Sequence, residues 1–258
     1  MRTTALVLSL TFLAGCAIDR GTALAADFEE DWADTPDVAD IDTYGDNILP
    51  FTGSATGTLV LEDGTSADRV AELANELSAY VADHDEITGE ISADDITFTV
   101  AADEALTGEI AALWQSLADD LRVASGVIDF VSANEDHLRV EITAVDATGA
   151  MAVFKDMVAD ANPYRALSSV ATSLEVSTGR EVRPWLRVTT DDDGKVPADA
   201  IAAYEAVAAQ YPVVGAGLRT DGAGIVVGEG VDLGRAGELA GSAAPNLADL
   251  EVTSDNGD

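Results

Sequence analysis

The stretch of sequence that decides the fold is residues 57–81, GTLVLEDGTSADRVAELANELSAYV. Its alternating, β-branched start predicts a strand, and the Asp63-Gly64 pair predicts the turn that ends it. Beyond the turn, apolar residues recur at intervals of three, four and four, which places them on one face of a helix. These residues are Val70, Leu73, Leu77 and Val81. The stretch therefore predicts a strand followed by an amphipathic helix.

The same strand–helix–strand order recurs about five times along the chain. The second helix has the most regular apolar face, made of Leu106, Ile110, Leu113, Leu117 and Leu121. Turns such as Asp221-Gly222 separate successive strands too closely for the crossover that parallel neighbours need. Two successive units give the β-α-β-β-α-β order of a ferredoxin-like sandwich. We therefore predict an α+β protein of tandem β-α-β units, ferredoxin-like sandwiches with an antiparallel sheet and helices on one face.

The chain before residue 55 differs in composition from the rest. Residues 17–54 carry ten acidic side chains against Arg20 alone, and their large apolar residues show no sustained period. A run of like charges repels itself and extends, so residues 16–54 are predicted to be a flexible acidic tether. A docking segment that uses Phe28 and Trp32 is the alternative.

The regular part of the chain is predicted to divide into two regions. The first α+β unit spans 55–133, and further units span 134–258. Residues 177–181 are a second candidate for the boundary, because the Thr178-Gly179 turn lies there.

Composition excludes several classes of protein. The 258 residues include 48 acidic and 13 basic side chains, a formal net charge of −35, so the surface repels phosphate backbones and nucleic acid is not an expected partner. A hydrophobic content of 47% is too high for a disordered chain. A single cysteine can form neither an intramolecular disulfide nor a cysteine-based zinc site.

The first sixteen residues have the layout of an export signal. Arg2 precedes a nine-residue apolar run, residues 5–13, which is well short of the roughly 20 residues of a spanning helix. The sequence Leu13-Ala14-Gly15-Cys16 follows and resembles the lipobox of bacterial lipoproteins. This resemblance implies cleavage before Cys16, so that residues 1–15 are the signal peptide and Cys16 carries the lipid. It also implies a protein attached to the extracytoplasmic face of the cell membrane, where two or more acyl chains anchor stably.

The order of elements is also similar to that of the BON domains of bacterial envelope proteins. The residues that carry this likeness are the strand at 57–61 and the Ser/Ala-led helix after it. The likeness implies an association with phospholipid or with other components of the envelope.

The sequence contains no recognisable set of catalytic or metal-binding residues. His84 and His137 lie 53 residues apart and match no ligand spacing. The acidic run at 191–194 has Ala202 where a calcium-binding loop needs a glutamate, so it predicts a surface turn. The glycines of 222–228 lack the dinucleotide-binding spacing. We expect no cofactor and no metal, and favour a protein that is not an enzyme.

Two tryptophans and three arginines are the candidate contact residues. Trp114 departs from the apolar stripe of the second helix, so it either widens the core or forms a partner-binding hot spot. Trp185 lies between Arg183 and Arg187, with Arg180 nearby, on an otherwise acidic chain. This cluster is either a site for an anion or partner, or a set of internal ion pairs.

These observations lead to two hypotheses of function. The first is a lipid-anchored envelope protein that acts as a non-catalytic interaction or scaffold module, with another envelope protein as its partner. The alternative is a small-ligand-binding lipoprotein, or an extracytoplasmic enzyme, with a cleft between α+β units. A pocket at Trp185 and the arginines would favour a small ligand, whereas an exposed apolar patch at Trp114 would favour a protein partner.

Replacing Cys16 tests the predicted anchor. We expect Cys16→Ser to release the protein from the membrane fraction, because a serine hydroxyl does not form the thioether that carries the lipid. Cell fractionation and immunoblotting measure the change, and Thr11→Ser in the apolar run is the control. If the Cys16→Ser protein stays with the membrane, the anchor hypothesis is wrong.

Overall fold

The computed structural model describes residues 19–49, 52–130, 137–159, 164 and 171–255. Within these ranges the chain forms six helices and eleven strands. The helices are α1 (Arg20–Trp32), α2 (Ala67–Asp83), α3 (Glu104–Ala118), α4 (Ala147–Val158), α5 (Ala198–Ala208) and α6 (Leu233–Ala243). The strands are β1 (Val38–Leu49), β2 (Thr52–Leu61), β3 (Ile87–Ala93), β4 (Ile96–Thr99), β5 (Val123–Phe130), β6 (His137–Ala144), β7 (Ala171–Thr178), β8 (Trp185–Thr189), β9 (Val213–Leu218), β10 (Gly222–Val227) and β11 (Asp249–Ser254).

All eleven strands belong to one sheet, and their order in space is their order in the chain. Neighbours alternate between antiparallel and parallel pairing, from the antiparallel pair β1–β2 to the parallel pair β10–β11. A helix lies between the two strands of each parallel pair. The α+β class is therefore confirmed.

The predicted ferredoxin-like sandwiches with an antiparallel sheet are not confirmed, because the sheet is mixed. Tight turns, on which the prediction rested, join only the strands of the antiparallel pairs. Each helix returns the chain to run parallel beside the strand it has just left, so the sheet grows by two strands with every hairpin and helix.

The core lies between the helices and one face of the sheet. Ile91, Phe98, Ile128 and Val140 form one continuous row across β3–β6, and all four are completely buried. The alternate row, Ser92, Thr97, Val127 and Glu141, is partly or fully exposed. We call this second side of the sheet the open face.

Residues 19–49 are folded, which corrects the prediction of a flexible tether over 16–54. β1 pairs with β2 from Val38 to Leu49, and α1 packs against both strands. The buried residues of α1 follow intervals of four, three and four, which is a helical period; they are Gly21, Ala25, Phe28 and Trp32. Two of the four are small, so the hydrophobic pattern was too weak to outweigh the surrounding acids.

Phe28 is the centre of the contact between α1 and the rest of the protein. Its ring occupies the space above Gly57, where a Cβ atom would lie 2.4 Å from the ring carbons. It also meets Tyr80 of α2 edge to face, with ring centroids 5.6 Å apart. Tyr80 in turn stacks on His84 at 4.2 Å, and His84 Nδ1 lies 2.8 Å from the Tyr80 carbonyl oxygen. His84 is therefore part of a local packing arrangement at the end of α2.

The sheet continues across the predicted domain boundary between 133 and 134. The boundary itself lies outside the described residues, but β5 and β6 on either side pair from Val123–Ala144 to Phe130–Leu138. The buried core also includes residues from both sides, such as Ile128 and Val140.

The predicted signal peptide and Cys16 lie outside the described residues. None of the helices in the described part of the chain is long and apolar enough to cross a membrane.

Shortening Phe28 tests whether α1 is part of the folded core. We expect Phe28→Ala to lower the free energy of unfolding by about 3–5 kcal/mol, because it leaves a cavity above Gly57. Urea denaturation measures the change. Tyr44→Ala on β1 is the control, since the Tyr44 side chain is 69% exposed and its loss should change stability by less than about 0.5 kcal/mol. Equal effects of the two substitutions would mean that α1 does not pack on the sheet.

Candidate functional site

The open face loses its side chains over part of β9 and β10. Gly215 and Gly217 of β9 and Gly222 and Gly224 of β10 occupy alternate positions on this face. Alternate residues of a strand point to the same side, so four glycines here leave a bare backbone floor. A cavity of about 590 Å³ lies above it. We call this cavity the trough, and the side chains and floor that bound it are Trp185, Arg187, Arg219, Gly224, Asp249 and Glu251.

Strand register sets the width of the trough. Arg187 of β8 lies beside Gly217, Gly217 beside Gly224, and Gly224 beside Glu251 of β11. Three steps of about 4.8 Å between strands separate the two walls by about 14 Å at the Cα atoms. A Cβ atom added at Gly224 would meet nothing within 4 Å, so the middle of the floor is open.

Trp185 forms one wall by occupying the space that Gly215 leaves free. A Cβ atom on Gly215 would lie 2.0 Å from Trp185 Nε1, so only glycine allows the indole to lie there. The ring extends along β9 towards Gly217, whose Cβ position is 3.9 Å from Trp185 Cζ3. Trp185 is half-buried, and its Nε1 has no hydrogen-bond partner among the described residues. The indole is thus held in place by backbone and still borders the cavity.

Each arginine of the trough is already paired with a carboxylate. Arg187 Nη2 donates to Glu175 Oε2 at 2.6 Å, and Arg219 Nε lies 3.3 Å from Asp221 Oδ1. Both guanidinium groups are more than 60% exposed, so these ion pairs add little stability. The paired carboxylates do, however, compensate the positive charges of Arg187 and Arg219.

The opposite wall carries two carboxylates without partners. Asp249 and Glu251 are exposed on β11. Neither side-chain carboxylate has a hydrogen-bond or ion-pair partner in the part of the chain that the structure describes. Together with Glu175 and Asp221, the trough and its edge contain four carboxylates and two guanidinium groups. The site therefore has an excess of two negative charges.

The structure brings together only part of the predicted arginine cluster. Trp185 and Arg187 border the trough, but Arg180 and Arg183 belong to the turn before β8 and do not line it. Arg183 Nη1 donates to the carbonyl oxygens of Arg180 and Val182, at 2.9 and 3.0 Å. The structure therefore does not bring the three arginines together at the trough, because only Arg187 of the three lines it.

Sequence reasoning missed the other half of the trough. Arg219 lies in the turn after β9, and Asp249 and Glu251 lie on β11, so their closeness depends on strand order. The available signal was the spacing of the glycines at 215, 217, 222 and 224, since glycine at every second position of two adjacent strands empties one face.

Trp114 is a core residue, so the partner hot-spot alternative for it is wrong. Its side chain is 2% exposed, and its Nε1 donates to the Ala93 carbonyl oxygen at 3.1 Å. It packs near Phe98 of β4 with ring centroids 6.0 Å apart. The residue widens the apolar face of α3, which is the other interpretation that the sequence allowed.

The acidic run at 191–194 forms a turn that its own side chain closes. Asp191 Oδ1 accepts hydrogen bonds from the backbone nitrogens of Asp193 and Lys195, at 3.2 and 2.8 Å. In the described ranges, no group of three or more His, Cys, Asp or Glu side chains is arranged to hold a metal ion.

A second cavity lies beside a network of paired charges between α3 and α4. Arg122 holds the Asp120 carboxylate with both Nε and Nη2, at 3.0 and 2.7 Å, and reaches Asp156 Oδ2 at 2.9 Å. The Tyr164 hydroxyl donates to Asp120 and accepts from Arg122. Hydrogen bonds from Arg122 outweigh partial burial and, with that from Tyr164, lower the pKa of Asp120 to about 2. Because these groups satisfy one another, the network serves to join segments of the chain.

Three comparisons with known proteins found no relative: no protein-family model, no curated protein and no solved structure matches this chain.

The charged network at Asp120 predicts a pH dependence of stability. A carboxyl whose pKa is lower in the folded than in the unfolded protein stabilises the fold above about pH 4, and this contribution disappears as the pH falls towards 2. We expect Asp120→Asn to lower the free energy of unfolding by roughly 1–2 kcal/mol at pH 7, allowing for partial exposure. Urea denaturation at pH 7, 4 and 2.5 should show this difference shrinking.

Asp119→Asn is the matched control for that experiment, because it removes an equal charge from an exposed neighbour. It should change stability little at any of the three pH values. A constant difference between the Asp120→Asn protein and the unsubstituted protein from pH 7 to 2.5 would contradict the prediction.

Proposed function

We propose that this chain is a lipid-anchored, extracytoplasmic protein that binds a small ligand in the trough. The observation that carries the proposal is a cavity of about 590 Å³ bounded by an indole on one side and unpartnered carboxylates on the other. Small-ligand sites commonly have volumes of about 300–1,000 Å³ and a few polar groups that orient the ligand. This favours the second of the two hypotheses that the sequence left open.

The distribution of apolar residues supports a small ligand over a protein partner. Trp114, the candidate hot spot, is buried. Among the exposed large apolar residues of the described ranges, Tyr44, Val127 and Leu233 belong to different elements. Leu121 and Val145 are near each other, since Val145 N donates to the Arg122 carbonyl oxygen, but they are two residues in loops. Single exposed apolar residues are normal on a soluble surface and do not define a docking patch.

The composition of the trough supports binding without chemistry. None of the described residues that line it is a histidine, cysteine or lysine. Thr189, which lines the cavity, places its hydroxyl oxygen 3.5 Å from Glu175 Oε2, which is longer than the roughly 2.6–3.2 Å expected between a nucleophile and its base.

The sheet would also separate the trough from the proposed anchor. Cys16 is only four positions before Arg20, the start of α1, so the chain between them spans at most about 14 Å. From β1 to the trough on β9 and β10, the sheet extends about eight strand spacings, or roughly 40 Å. In this proposal the folded sheet provides the spacing that a flexible tether was expected to provide.

Filling the trough tests the proposed function. Gly224→Phe should place a ring in the cavity without strain, because nothing lies within 4 Å of the new Cβ atom. Thr88→Phe adds the same ring to an exposed position of β3 and is the control. The probes are spermidine, choline, maltose, L-leucine and citrate, which represent cations, a neutral sugar, a zwitterion and an anion.

Ligand binding is measured by the change in melting temperature and in tryptophan fluorescence. Trp32 and Trp114 are buried, so fluorescence changes report mainly on Trp185. We expect at least one probe to bind the unsubstituted protein and the Thr88→Phe protein, and not the Gly224→Phe protein. The proposal fails if no probe binds, or if Gly224→Phe leaves binding unchanged.

A further inference from the structure

The unpartnered carboxylates of the trough point to the charge of its ligand. Asp249 and Glu251 lie two residues apart on the same side of β11, where their charges add. The two arginines of the trough do not form ion pairs with them: Arg187, on the opposite wall, is bonded to Glu175, and Arg219, in the turn between β9 and β10, lies beside Asp221. A group that enters between the walls therefore meets carboxylates that lack a counter-charge.

The indole of Trp185 favours the same kind of ligand. The face of an indole attracts a cation through its ring quadrupole, and tryptophan is the strongest of the aromatic side chains in this respect. Gly215 lets the ring lie against β9, and the ring reaches towards the open floor at Gly217 and Gly224. Aromatic and carboxylate groups thus approach the same empty space from opposite walls.

The charge of the whole protein acts in the same direction. A formal net charge of −35 attracts cations and repels anions over distances set by the ionic strength. An anion would enter a site with excess negative charge, in which each arginine already lies beside a carboxylate. A neutral sugar can donate hydroxyl hydrogen bonds to these carboxylates, but it leaves their negative charge uncompensated.

We infer that the trough takes a small organic cation, with its ammonium or guanidinium group between Trp185 and the carboxylates of Asp249 and Glu251. This inference rests on the proposed function and names the class of ligand for the same site.

Removing the two carboxylate charges tests the inference. The variant Asp249→Asn/Glu251→Gln keeps the shape of the wall and removes its charge. The control Glu29→Gln/Glu30→Gln removes two charges from the exposed side of α1, at the far end of the sheet. Both proteins have the same net charge, so a difference between them reports on the trough alone.

The probes are tetramethylammonium, spermidine and L-argininamide, with maltose and citrate as neutral and anionic comparisons. Isothermal titration calorimetry at low salt measures affinity, and melting temperatures confirm that the variants fold. We expect at least one cation to bind the unsubstituted protein, and its affinity to fall by about tenfold or more in the Asp249→Asn/Glu251→Gln protein. The control should lose less than about twofold, and Trp185→Leu should also weaken binding.

The remaining outcomes separate this inference from the proposed function. Maltose or citrate binding that Gly224→Phe abolishes, with no binding of cations, would overturn the cation inference and leave the ligand-binding proposal intact. Equal loss of cation affinity in the trough variant and the α1 control would show general attraction to an acidic surface and would also overturn it. Absence of binding by every probe would overturn both.

Discussion

One-sided burial of the sheet is the constraint on which the rest of the structure depends. In strands β2 to β10 the buried apolar side chains lie on one face, and the row of buried positions continues across these strands. Successive parallel pairs run in opposite directions. If all helices lie on one face of the sheet, the crossovers must therefore alternate between right-handed and left-handed. A right-handed crossover is strongly preferred, but placing a helix on the open face would set its apolar stripe against threonines and carboxylates. Burial of the apolar stripes outweighs the preference in handedness.

The open face does not pack against the helices, so it can lack side chains without leaving a cavity in the core. Glycine in a strand lowers stability, so its presence calls for a physical reason. At Gly57 the reason is the Phe28 ring, and at Gly215 it is the Trp185 indole. At Gly224 no neighbouring atom would prevent a side chain, and packing gives no reason for glycine there. The open floor is therefore the feature of the open face that close packing does not explain.

Elements whose apolar residues are large were predictable from the sequence, whereas contacts set by small residues or by strand order were not. The periodicity of α2, with Leu73 and Leu77, correctly predicted its helix and its buried face. α1 was missed because half of its buried face is Gly21 and Ala25, which contribute little to a hydrophobic pattern. In the trough, Trp185 was recognised as a candidate by its residue type, but Glu251 was not. Its place beside Gly224 follows from the parallel pairing of β10 with β11, which no local pattern encodes.

Negative charge explains why the trough attracts cations, but it does not explain which cation the trough selects. Most of the few basic side chains in the described ranges form ion pairs with carboxylates of the same chain, as Arg122 does with Asp120 and Asp156. Exposed carboxylates without counter-charges are consequently common on its surface, and any of them can attract a cation weakly. Within the described ranges, the trough is the place where such carboxylates face a fixed indole across a floor without side chains. The walls and floor must therefore decide which cation binds, because shape and the aromatic face distinguish one cation from another and net charge does not.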